Sequence, residues 1–140
     1  MTNLRMLSGL IATIAASVWT PVHAHGVTDW NAVTLNCVQG PLTPANRPGP
    51  AGLLDIALVQ AAVHDAVQAI QGRFESYEYE NRAMRGVGSP QAAAAAAYYG
   101  VLAGLYGSDD PCLATVTDPA VTYAGDPGLK AGTEATAALL

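Results

Sequence analysis

Between Leu53 and Ile70 the chain runs for 18 residues without a glycine or a proline. Ile56, Val59, Val63, Val67 and Ile70 recur at spacings of three and four, which is one face of an α-helix. Leu54, Leu58 and Ala61 cover the opposite side, leaving Gln60, His64, Gln68 and Gln71 as a narrow polar stripe. A helix that is apolar almost all round must be enclosed by other elements. Gly72 follows it and predicts a C-cap. The fold therefore has to be built around one long helix surrounded by others.

The flanking segments supply candidates for those others. Asp29 predicts the cap of a short helix that begins near Trp30 and carries Val33 and Leu35. From Gly40 to Pro50 there are four prolines and two glycines, a composition that predicts a linker. Arg73 to Arg85 mixes charges with Phe74, Tyr77 and Tyr79 and predicts a surface connection. Ser89 and Pro90 have the pattern of an N-cap followed by the first helical position. The alanine run 92–97, then Tyr98, Val101, Leu102 and Leu105, continues that second helix. Asp126-Pro127 opens a last helix that runs to Leu140. The sum is an all-α chain of about four helices with Pro/Gly-rich connections. The apolar end at Ala137–Leu140 carries no cap, which predicts the front portion of a larger helical bundle whose chain continues past Leu140.

The N-terminus constrains the compartment. Arg5, the apolar run Met6–Trp19 and the small-x-small tripeptide Val22-His23-Ala24 predict a signal peptide over 1–24, cleaved between Ala24 and His25. The apolar run is shorter than the about 20 residues of a spanning helix, and no later stretch is free of charge, glycine and proline over that length. An exported, periplasmic or secreted chain without a membrane span is expected. Export permits Cys37 and Cys112 to pair. Two buried free thiols are the other reading, and no CxxC spacing suggests a zinc or redox site. After cleavage, five basic residues face eleven acidic ones, which excludes a basic nucleic-acid footprint. The expected layout is a signal over 1–24, an N-terminal segment and linker over 25–52, and a partial helical domain over 53–140.

Several blocks now fall into a recognisable order. They are Asp29-Trp30-Asn31-Ala32-Val33, the Pro-rich linker, Ala61-Ala62-Val63-His64-Asp65-Ala66-Val67-Gln68-Ala69-Ile70, Arg73-Phe74-Glu75-Ser76-Tyr77, and Val101-Leu102-Ala103-Gly104-Leu105-Tyr106. In order and spacing this resembles the N-terminal part of bacterial vanadium-dependent haloperoxidase-like proteins, of the type 2 phosphatidic acid phosphatase superfamily. The resemblance covers Asp29 to Leu140. It departs from the family pattern at Gln60, where a His is usual, at His64, where an aromatic is usual, and at Ser76, which replaces a Pro. It implies peroxide-dependent halide oxidation, or phosphate-ester hydrolysis, in a full-length protein that holds vanadate or phosphate. The family's oxyanion motifs lie in its C-terminal half: a Lys followed by Arg-Pro, a Pro-Ser-Gly-His block, and a Ser-Arg block with a later His. None occurs here, and Lys130 is the only lysine of the chain. No catalytic, cofactor-binding or metal-binding residue carries over. The implied partner is the C-terminal catalytic bundle of the same protein, and vanadate belongs to that bundle. The other class of function is an exported, non-catalytic helical module that binds a protein through its uncovered apolar faces.

The residues that can bear chemistry read mainly as structure. His64 and Asp65 are adjacent, so on a helix they point about 100° apart and do not bond each other readily. His64 is expected to bond within the Gln60–Gln68 stripe. Asp65 must be paired if buried, and Arg47 or Arg73 is the expected partner in a structural lock. His25, as a new N-terminus, can chelate copper with His64 as second ligand, but that chemistry resembles a β-sandwich scaffold rather than this helical one. The acidic residues lack EF-hand spacing and read as solvated loop carboxylates.

Overall fold

The computed structural model describes residues 25–39 and 49–140, with side chains from Asp29 onward in the first segment. The expected signal peptide, its cleavage point after Ala24, and most of the Pro-rich linker, with Arg47, lie outside the described residues. Five α-helices are described: α1 (His25–Gln39), α2 (Gly49–Gln71), α3 (Pro90–Tyr106), α4 (Pro119–Thr122) and α5 (Gly128–Leu139). Single 3-10 turns at Arg82–Met84 and Leu113–Thr115 punctuate the connections. Among the described residues there is no strand.

The all-α class and the long central helix follow the sequence pattern, with shifted boundaries. Helix α1 begins five residues before Trp30, so Asp29 lies inside it rather than capping it. Thr34, Cys37 and Val38 are its buried face. Helix α2 starts at Gly49 rather than Leu53. Pro50 falls in the first turn, where its missing N–H has no intrahelical partner to lose. Gly72 ends α2 with φ +61° and donates its N–H to the Gln68 carbonyl at 2.7 Å, a left-handed conformation in which glycine avoids the steric cost of a Cβ. Ser89 caps α3 by accepting the Ala92 N–H at 3.1 Å.

Helix α3 packs against α2, α5 and α1, and α2 also meets α5. The core lies between them: Val59, Ala62, Val63 and Ala66 from α2, Ala93, Ala97, Tyr98 and Leu102 from α3, and Ala131 and Ala135 from α5. The alanine run is therefore a packing surface. A Cβ placed on Gly132 of α5 would collide with the Ala93 carbonyl oxygen and the Ala96 methyl of α3. Gly132→Ala is expected to destabilise the fold by about 1–3 kcal/mol through overpacking, read as a lowered urea midpoint.

Helix α2 is not enclosed along its whole length. By length and composition it is apolar enough to cross a membrane, although Asp55 and Asp65 interrupt it, and half of that window is buried inside the protein. Leu53 and Leu54 are 63% and 67% exposed, whereas Asp55 and Asp65 are buried. The expectation that Leu54 shares in a covered apolar face is thus corrected at the start of the helix. Its buried carboxylates are accommodated by hydrogen bonds, as at Asp55, which accepts from the Tyr106 hydroxyl at 2.7 Å.

The cysteines, left open by the sequence, are bonded. Cys37 of α1 and Cys112, just before the second 3-10 turn, form a disulfide with their Cα atoms 5.3 Å apart. Both are almost fully buried. Trp30 stacks on Tyr98 with ring centroids 5.8 Å apart, a second tie between α1 and the core.

Candidate functional site

His64, Asp65 and Gln68 of α2 face the irregular segment 72–81, here termed the strap. Three side chains within five residues of the helix hold the strap's backbone. Gln68 accepts the N–H groups of Arg73 and Phe74 through Oε1, at 3.0 and 2.9 Å. Asp65, fully buried, accepts three more: Tyr77 N–H at Oδ1 (2.7 Å), and Glu78 and Tyr79 N–H at Oδ2 (both 2.9 Å). His64 Nε2 lies 2.9 Å from the Glu75 carbonyl oxygen. Because a carbonyl can only accept, this geometry requires Nε2 to carry the hydrogen. The His64 ring also packs on Tyr77 at 5.1 Å.

Two sequence expectations are corrected by this arrangement. Asp65 is paired as a lock, but with three backbone amides rather than with Arg73. His64 leaves its own stripe and bonds across to Glu75. The reason is the same in both cases. An irregular segment has amide and carbonyl groups with no ladder to satisfy them, and a buried carboxylate needs donors. Gln68 was placed in the stripe without a role. Its position four residues before Gly72, at the point where the helix hands over to irregular chain, is the signal that identifies it.

The far end of the strap is tied to α5. Glu134 Oε2 accepts from the Tyr79 hydroxyl at 2.5 Å and from Asn81 Nδ2 at 3.2 Å. Burial, reinforced by Glu134, pushes the Tyr79 phenol up to about 12. The same Tyr79 bond leads in holding the Glu134 carboxyl below its ordinary value, with Asn81 and Lys130 adding to it. Asp126 is also held low, chiefly by the Ser89 amide, then by the Ser89 hydroxyl and the Gly128 amide, and so joins the starts of α3 and α5. A further pair, Gln60 Nε2 with Asn31 Oδ1 at 2.6 Å, links α2 to α1.

A cavity of about 760 Å³ borders the strap, lined by Gln68, Arg73, Glu75, Glu78, Arg82 and Arg85 among others. Arg82 is committed to Glu80 at 2.8 Å on the surface. Phe74 and Tyr77 stand out from the strap at 71% and 74% exposure. Among the described residues no group of three or more His, Cys, Asp or Glu side chains can hold a metal ion, and no buried side-chain nitrogen or oxygen lacks a partner. The imidazole of His64 is engaged with Glu75, and the His25 side chain lies outside what is described. Comparison with protein-family models, curated proteins and solved structures gave no match.

Proposed function

We propose that this chain is a non-catalytic scaffold: the N-terminal segment of an exported vanadium haloperoxidase-like or acid-phosphatase-like protein. The observation that carries the reading is the joining of two blocks of the resemblance. His64, Asp65 and Gln68 from one hydrogen-bond the backbone of the other, residues 73–77, and that of Glu78 and Tyr79 directly after it. The Asp65 carboxylate, fully buried with both oxygens accepting strap amides, fixes shape and is not available as a base, nucleophile or ligand.

The residues described do not fit vanadate. A tetrahedral oxyanion requires several convergent cationic donors. Arg82 is paired with Glu80, Lys130 sits 3.7 Å from Glu134, and the cavity that holds Arg73 and Arg85 is equally lined by glutamates. Halide oxidation or phosphate-ester hydrolysis therefore belongs, in this proposal, to a separate catalytic bundle of the same protein. A second reading, an exported helical module that binds another protein, draws on the exposure of Phe74 and Tyr77.

Two measurements test the proposal. The chain incubated with orthovanadate, hydrogen peroxide and bromide is expected to brominate a dye no faster than vanadate alone, and to leave p-nitrophenyl phosphate intact. Turnover in either assay would overturn the non-catalytic role. The reading frame beyond codon 140 is expected to encode the Lys/Arg and His motifs, and their absence there would leave the interaction module as the better reading.

A further inference from the structure

We infer that the strap is a self-association surface whose occupant is the strap of a second copy of this chain. Its backbone is fixed at six points by His64, Asp65 and Gln68, and its end is tied to Glu134. It therefore meets a partner with little ordering cost. What it presents is Phe74 and Tyr77, both more than two-thirds exposed. Paired aromatics on a rigid mount have the character of interface anchors.

The charge pattern selects the occupant. Arg73, Glu75 and Glu78 are exposed on the same short segment, and none of their side chains has a partner among the described residues. A nucleic acid or an anionic membrane calls for one sign of charge. A two-fold interface instead lays a patch on itself, so that each copy must carry both partners of every cross-pair. Unpaired cation and unpaired carboxylates, interleaved with two aromatics, meet that requirement. The inference does not depend on the haloperoxidase-like reading.

The test is the mass of the chain in solution by sedimentation equilibrium, over a range of concentrations. A monomer–dimer equilibrium is expected. Phe74→Ala with Tyr77→Ala should raise the dimer dissociation constant by about a hundredfold, the loss of two aromatic anchors. Arg73→Glu gives a strap whose unpaired charges are all acidic, and Glu75→Arg with Glu78→Arg gives one whose unpaired charges are all basic, Glu80 staying with Arg82. Each is expected to weaken its homodimer by about tenfold or more through like-charge contact. Mixed, the two variants should form a heterodimer at least as tight as the parent homodimer. All of these side chains are exposed, so unchanged far-UV circular dichroism is expected, and a cooperative melt at a concentration where the parent is monomeric establishes that the variants fold. A monomer at every concentration, a dimer indifferent to these substitutions, or a mixture that stays monomeric would each overturn the inference; the first would assign the surface to a different polypeptide.

Discussion

Asp65→Ala is expected to destabilise the protein by about 3–5 kcal/mol, since it strips the acceptors from three amides at once. The carboxylate is fully buried and takes the N–H groups of Tyr77, Glu78 and Tyr79 at 2.7–2.9 Å. Bonds to an ionised acceptor are worth more than neutral ones, and a donor left unpaired away from water carries its whole desolvation cost. These amides are only partly buried, and so the loss is placed well below three full desolvation penalties. Even so, it is a large share of the about 5–15 kcal/mol available to a typical domain. Asp65→Asn separates charge from shape. Its single oxygen can keep the Glu78 and Tyr79 amides, while its NH₂ would face the Tyr77 amide, donor against donor. A smaller loss, about 1–3 kcal/mol, is expected. Urea titrations of the three proteins check the order. Equal stability of Asp65→Ala and the parent would show that water satisfies the strap and that Asp65 locks nothing.

Helix α2, the cap at Ser89 and the stop at Gly72 are legible in the sequence because each depends on neighbours in the chain. So is the need for a partner at Asp65, since a carboxylate on an apolar helix must be paired wherever it is buried. The identity of the partner is not legible in side-chain types. Backbone amides are present at every non-proline residue and leave no compositional trace, so a search among arginines finds the wrong group. A search for irregular chain with unsatisfied amides, close after the end of the helix, would have found residues 73–79. Exposure at Leu53 and Leu54 was hidden for a different reason. The helical pattern shows which residues share a face but not which face the neighbours cover: Gly52 and Asp55, on either side of these two leucines in sequence, are buried, while Leu53, Leu54 and Ala57 turn outward. The fit of Gly132 against Ala93 and Ala96 likewise depends on the approach of two helices, which no local pattern encodes.

Loss of the Cys37–Cys112 bridge is expected to lower stability by about 4 kcal/mol on the chain-entropy account. The cysteines are 75 residues apart in sequence, so the unfolded chain regains the freedom of a long loop when they are separated. Both are nearly inaccessible, so a reductant in native buffer should act slowly; the double variant Cys37→Ala with Cys112→Ala is the cleaner probe. Helix α1 should be affected first. Without the bridge it retains the Trp30–Tyr98 stack and the Gln60–Asn31 bond, but Leu35 on it is already 46% exposed. Amide exchange over residues 29–39 is expected to accelerate more than in α2 or α3. The denaturant slope separates this effect from that of Asp65. Removing the bridge expands the unfolded ensemble and exposes more surface on unfolding, so the slope should rise as the midpoint falls. Asp65→Ala acts on the folded state, and its midpoint should fall with the slope unchanged. A double-alanine variant with the parent's midpoint and exchange pattern would mean that α1 is held by packing alone and that the bridge contributes nothing to the fold.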